Sequence, residues 1–315
     1  MPNSIIGAGW SSSQGSRCTN DFIKRFPREL LGTGVSTPRP DRFGPSTLVE
    51  VGNQRLLIDA GRGAAIRLYQ VGVPMGSIDA LLLTHYHSDH TSGIPDVWLT
   101  GWLQSHYGTR TKPLRVLGPV GAKELMSNLQ KAYAADIKIR IADEKLPPEG
   151  AEMEVKEFNS DGAVYKKNGV TVIAFEVDHG DVIKPAYGYR IEYDGRSVVI
   201  SGDTRFNENV IKHGLGADLL IHEVAIARPE LMTEAYIQRI MAHHTTAREA
   251  GVVFARTGPK LAVYTHLVFL ASKQVPSATI DDLIAETRQT YTGPLEVGED
   301  LMCFEIGKTV SVHRT

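Results

Sequence analysis

The chain has 315 residues, 42% hydrophobic and 22% charged, with a formal net charge of −2. That length and balance suit a globular protein with a large buried core. They argue against a broad basic surface made for nucleic acid, and no apolar run approaches the ~20 residues that a membrane-spanning helix needs.

Residues 1–28 are rich in Gly and Ser and irregular, and read as an N-terminal arm, which leaves 29–315 as a single domain. The start, MPNSIIGAGWSSSQGSR, has no basic stretch followed by an apolar one. The expected location is therefore cytoplasmic, or periplasmic or secreted if a signal was trimmed. Cys18 and Cys303 form no CxxC or zinc-knuckle pattern. A disulfide between them cannot be read from spacing, and two free thiols are the simpler expectation.

STLVEV (46–51) and QRLLIDAG (54–61) predict a hairpin turning at Gly52-Asn53. IDALLLTH (78–85) is an apolar run ending in polar residues, the pattern of a strand covered on both faces. PLRVLGP (113–119) repeats it, and GAKELMSNLQKAYAA (121–135) follows with Leu125, Met126, Leu129 and Tyr133 at helical spacing. Further strands are predicted over 169–180, 186–195 and 196–204, with Asp194-Gly195 as a tight turn. ADLLIHEV (217–224) and KLAVYTH (260–266) read as two more buried strands, and helices fit 230–241, 246–257 and 278–291. Strands in long blocks imply an α/β fold of two sheets packed face to face with helices outside, not one alternating parallel sheet.

Several of these runs stop at a side chain able to bind metal. The run at 78–85 ends at His85, with His87, Asp89 and His90 following; others end at Asp59, His179, Asp203 and His266. A lone histidine after a strand is usually structural. The conjunction is not, because His-x-His-x-Asp-His sets alternate residues on one side of an extended segment. Imidazoles and carboxylates together are zinc ligands, and four within six residues can serve two neighbouring ions.

Those motifs, LLIDAG, THYHSDH (84–90), DHG, SGDT and YTH, occur in the order found in the metallo-β-lactamase-fold hydrolase superfamily, which the chain resembles over roughly 30–270. The resemblance implies an αβ/βα four-layer sandwich of two mixed sheets with the site at their edge. It also implies that His85, His87 and His179 hold one metal, that Asp89, His90 and His266 hold the second, that Asp203 bridges them, and that Asp59 buttresses the loop without ligating. Two Zn²⁺ per chain are expected, with Mn²⁺ or Fe as alternatives. LLGTGVSTPRPDRFGPS (30–46), LLIHEV (219–224) and HHTTAREA (243–250) resemble the RNase Z branch. There a His-x-Thr histidine faces the metals; it aligns with His244 rather than His243.

Two such ions hold a bridging hydroxide at neutral pH. In that scheme Asp89 accepts a proton, His244 serves the leaving group, and Glu223 orients His244. The substrate is harder to read. RNase Z inserts a tRNA-gripping arm between the third-motif histidine and the bridging aspartate, whereas 23 residues separate His179 from Asp203 here, and no basic substitute arm is evident. The expectation is a small or medium apolar or aromatic substrate (an ester, lactone, phosphodiester, sulfate ester or aryl halide), with nucleic acid unlikely and membrane excluded. A tRNA 3′-processing endonuclease and a non-catalytic metal-binding protein are the alternatives. Trp98, Trp102, Tyr107, Phe269 and Leu270 are expected to wall the pocket, and a homodimer is expected from the resemblance.

Overall fold

The computed structural model describes residues 27–314. The expected arm lies outside the described residues except for its last two positions, which open a strand. In chain order the strands are β1 (Pro27–Gly32), β2 (Ser46–Val51), β3 (Gln54–Ile58), β4 (Ala80–Leu82), β5 (Leu114–Pro119), β6 (Met153–Phe158), β7 (Gly162–Lys167) and β8 (Val170–Glu176). They continue as β9 (Tyr187–Tyr193), β10 (Arg196–Ile200), β11 (Leu219–Ile226), β12 (Leu261–Phe269), β13 (Leu295–Val297), β14 (Met302–Ile306) and β15 (Val310–His313). One sheet runs β15-β14-β1-β2-β3-β4-β5-β6 and the other β13-β12-β11-β10-β9-β8-β7. Both are mixed: β3 to β6 and β10 to β13 are parallel, and their remaining pairs are antiparallel.

The period-2 alternation of each strand builds the layers. In β3, Leu56 and Ile58 face the opposite sheet while Leu57 faces helices; in β11, Leu219 and Ile221 face inward and Leu220 outward. A central cluster that includes Val49, Leu82, Val172, Tyr189 and Val198 lies between the sheets. On the outer face of the first sheet, Leu57, Leu81 and Val116 share a cluster with residues of the helices Ala64–Gln70, Ile94–Trp102 and Ala122–Ala132. On the outer face of the second, Leu220, Ala262 and Tyr264 do the same with Glu208–Gly214, Ala247–Thr257 and Ile280–Thr287. Helix, sheet, sheet, helix is the four-layer sandwich.

The expected 246–257 helix starts one residue later, because Thr246 is its N-cap in a capping box with Glu249. The expected 230–241 helix splits into a turn of 3₁₀ helix, Pro229–Thr233, and the helix Ala235–Met241. Of the strands absent from the sequence reading, β6, β7, β13 and β15 are the four sheet edges, while β1 and β14 lie inside the first sheet. β6 (MEVKEF) and β7 (GAVYKK) are half-exposed and carry charges, so they show no apolar run. Cys303 on β14 is buried and disulfide-bonded, which corrects the free-thiol expectation there; Cys18 lies outside the described residues. Among the described residues no helix is long and apolar enough to cross a membrane.

Candidate metal centre

The site forms where strands of both sheets end. The first sheet delivers Asp59 just after β3 and the segment 85–90 after β4; the second delivers His179 after β8, Asp203 after β10, Glu223 within β11 and His266 within β12. His266 owes its aim to a bulge. The β11–β12 pairing passes from Glu223↔Thr265 to Val224↔Leu267, which leaves His266 as the extra residue, at φ 43°.

Two groups of donors carry the expected ligands, His85, His87, His179 and Asp203 in one and Asp89, His90 and His266 in the other, and a third joins Asp203 and His266 to His244. In the first, His87 Nδ1 stands 3.0 Å from His85 Nε2 and 3.3 Å from His179 Nε2. In the second, Asp89 Oδ2 is 3.4 Å from His266 Nε2 and 3.9 Å from His90 Nε2. Asp203 Oδ2 faces both, at 3.8 and 3.6 Å from His85 and His179 and at 3.2 and 3.1 Å from His90 and His266. Ligand atoms about 2.0–2.1 Å from one tetrahedral cation stand about 3.3–3.4 Å from each other, and the donors here bracket that spacing. The chain carries a metal site.

Supporting atoms decide which ring nitrogen points inward. His90 Nδ1 lies 2.7 Å from Asp59 Oδ2, and His179 Nδ1 donates to the carbonyl of His243 at 2.9 Å. Asp59 also accepts from Thr84 N and Oγ1 at 2.8 and 2.7 Å, which fixes the start of the histidine segment. Asp59 thus sits behind the donors, in neither group.

Burial, reinforced for His85 by the nearby His90, depresses His85 well below the usual imidazole range, and burial brings His179 to about 4, so both are neutral as ligands must be. Burial pushes Asp89 and Asp203 upward, but the surrounding imidazoles outweigh it and leave Asp89 at about 2 and Asp203 well below the carboxylate range. His90 is the counterpart: burial lowers it, but Asp203 and Asp59 outweigh that and hold it well above the usual imidazole range.

His244 precedes the helix Ala247–Thr257, and its Nδ1 is 3.2 Å from Glu223 Oε2. The other oxygen of Glu223 accepts from Thr204 N and Thr245 N, each at 3.1 Å, so the carboxylate is locked between two loops. Burial lowers His244, but Glu223, with Asp203 and Asp89, raises it to about 9. His244 lies beside Asp203 and His266, with which it forms the third donor group.

These residues open on a pocket of about 250 Å³ walled by Val35, Ser36, Thr37, Ile240, His243, Val268 and Leu270. Of the expected wall only Leu270 is there. Trp98 and Trp102 are buried in the helix Ile94–Trp102 and donate to Ala151 O and Pro147 O, at 3.1 and 2.8 Å. Tyr107 packs against Tyr69 with the rings tilted and their centroids 4.4 Å apart, and Phe269 packs into the outer core of the second sheet. The apolar spacing after the metal motif serves the helix–sheet interface, not the pocket. The missed wall includes the segment after β1, already singled out as GTGVSTP, and His243, next to the residue that was chosen.

A family model described as the beta-lactamase superfamily domain matches residues 54–267. The chain belongs to the beta-lactamase superfamily. Within that superfamily it falls in the ribonuclease Z branch: ribonuclease Z of Mycobacterium marinum is 38% identical over 283 residues, which cover 88% of this chain and 97% of the relative. Two solved structures share the fold. YhfI of Bacillus subtilis, a metallo-beta-lactamase fold protein, has a TM-score of 0.71 at 20% identity, over 90% of this chain and 100% of that one. The short form of human tRNase Z has a TM-score of 0.66 at 21% identity, over 88% and 98%.

The ribonuclease Z relatives overturn the expectation of a small apolar substrate with nucleic acid unlikely. That expectation rested on the missing arm and on aromatic residues now placed in the core. Since 283 aligned positions span 88% of this chain and 97% of the relative, the relative carries no long inserted arm over the matched length either. The short His179–Asp203 connection therefore does not set this chain apart from proteins of that name.

Proposed function

We propose that the chain is a metal-dependent endoribonuclease that processes the 3′ end of precursor tRNA, with residues 29–315 acting as one catalytic domain in the cytoplasm. The observation that carries the reading is the near end-to-end match to ribonuclease Z relatives, 36–38% identical. The convergence of the donor groups beside the Glu223–His244 pair supports it.

The donors suit two zinc ions per chain, one held by His85, His87 and His179, the other by Asp89, His90 and His266, with Asp203 shared; manganese or iron meets the same set. Bound there, the cations supply Lewis acidity toward a phosphoryl oxygen and lower the pKa of water toward neutrality. The remaining work falls to the chain. Asp89 is ionised and accepts the proton that the attacking water gives up. Glu223 occupies Nδ1 of His244, which leaves Nε2 as the donor that protonates the departing ribose oxygen. Val35, Ile240, Val268 and Leu270 give a base apolar walls, and the Ser36 and Thr37 hydroxyls are placed to meet a ribose or phosphate.

The test is zinc-loaded protein incubated with a precursor tRNA carrying a 3′ trailer. Endonucleolytic release of the trailer, abolished in His244→Ala with metal content retained, supports the reading. Turnover of bis(p-nitrophenyl) phosphate with the precursor left intact refutes it.

A further inference from the structure

Val35, Ser36 and Thr37 belong to the loop between β1 and β2, which is exposed from Ser36 to Asp41. Both ends of that loop meet one carboxylate from far along the chain. Asp300 Oδ1 accepts from Thr33 N and Oγ1, at 2.9 and 2.8 Å, and its Oδ2 accepts from Phe43 N at 2.7 Å. Oδ2 also receives Arg67 Nε and Nη2, at 3.2 and 2.8 Å, from the helix Ala64–Gln70. The pair is buried, the Asp300 side chain 4% exposed and that of Arg67 11%. Arg67 lies over the Phe43 ring at 4.0 Å, and Arg42 Nη1 closes the neck by donating to Thr33 Oγ1 and Gly298 O, at 2.6 and 2.7 Å.

The neck is tight enough to transmit position. A Cβ on Gly32 would stand 1.9 Å from Gly44 O, and one on Gly44 would stand 2.8 Å from the backbone oxygen of Asp89. The loop base thus leans on the segment that carries a metal donor, while its tip walls the pocket. The strand that follows Asp300, β14, pairs with β1 through backbone contacts that do not call on the carboxylate. The ion pair within the tip, Arg39 with Asp41, is internal to the loop.

We propose that Asp300 is a positioning residue for the substrate pocket: by tying Thr33 and Phe43 to Arg67 it sets where Val35, Ser36 and Thr37 stand against the metal centre. Asp300 lies beyond the 54–267 segment matched by the family model. It touches neither donor group, so it acts through the loop. The inference rests on the pocket being the substrate site.

Asp300→Asn keeps an acceptor for Thr33 but turns an amide NH₂ toward the Phe43 N–H and the Arg67 guanidinium, donor against donor. The expected result in the metal-loaded protein has four parts. Amide exchange speeds up across 34–43 while β10 to β12 are unchanged. Metal content stays at the wild-type level. KM for precursor tRNA rises about tenfold or more, and kcat stays within about threefold. Arg42→Met, which removes the second closure of the neck, moves exchange and KM in the same direction and serves if Asp300→Asn does not fold. An unchanged KM, or a fall in kcat and metal content at constant KM, overturns the inference. Should the wild type leave RNA uncut but hydrolyse bis(p-nitrophenyl) phosphate, the RNA reading fails separately. Asp300 is then judged on loop exchange and on KM for that diester, and wild-type values overturn it.

Discussion

Replacing Glu223 by Gln removes one charge and keeps the shape. The amide oxygen can still accept from Thr204 N and Thr245 N, so the loops remain joined. The amide nitrogen then faces His244 Nδ1, which must turn from donor to acceptor. His244 stands at about 9 against an ordinary 6.5, about 3 kcal/mol in favour of its protonated form. Glu223 is the largest influence that raises His244 and must also offset burial, so its loss lowers His244 toward its ordinary range. Cations bound nearby lower the wild-type value as well, so the alkaline limb of the rate profile falls below about pH 9 even before mutation. A proton donor works only while protonated, and activity is lost as pH rises through its pKa. Glu223→Gln should therefore move the alkaline limb of kcat down by about two units, and with His244 near 6.5 only about a quarter of it stays protonated at pH 7, so kcat there falls by about fourfold. The assay is the pH–rate profile of the zinc-loaded variant beside its metal content, which should not change because Glu223 lies in neither donor group. An unmoved alkaline limb at full metal content refutes the role given to His244 and Glu223.

Asp59→Asn keeps an acceptor for Thr84 but weakens the hold on His90 Nδ1, and should lower affinity at the Asp89–His90–His266 group about 10–100-fold in chelator competition. Trp98→Ala should destabilise the protein by about 3–5 kcal/mol in denaturant unfolding and leave KM unchanged, because Trp98 is core; a raised KM with unchanged stability would put it back in the pocket. Acid should unfold the apoprotein through its depressed histidines. His85, His179 and His222 bind protons less readily when folded, so their contribution is present above about pH 6.5 and is lost as pH falls toward about 4, the value for His179. A thermal midpoint of the apoprotein that does not change between pH 7 and 4 would contradict this.

The metal centre was legible from sequence because its first half is local. Four donors within 85–90 need only an extended segment and one helical turn to converge, and the rest stand at the ends of apolar runs, where buried strands must stop. Layering was legible for a similar reason, since strands alternating between two apolar faces need two covers. The edge strands were not, because a half-solvated edge carries no apolar run.

What the sequence by itself determined was the pair of sheets and the cluster of metal-competent side chains at strand ends that the structure brings together. Only the tertiary structure decided what the pocket is made of. Apolar side chains look alike in sequence whether they fill a core or wall a cleft, so Trp98 and Trp102 were misread while Val35, Ile240 and Val268 passed unnoticed. Likewise Asp300 reaches Thr33 across 267 positions of chain, a bond that no local pattern announces and that exists only because β14 lies beside β1.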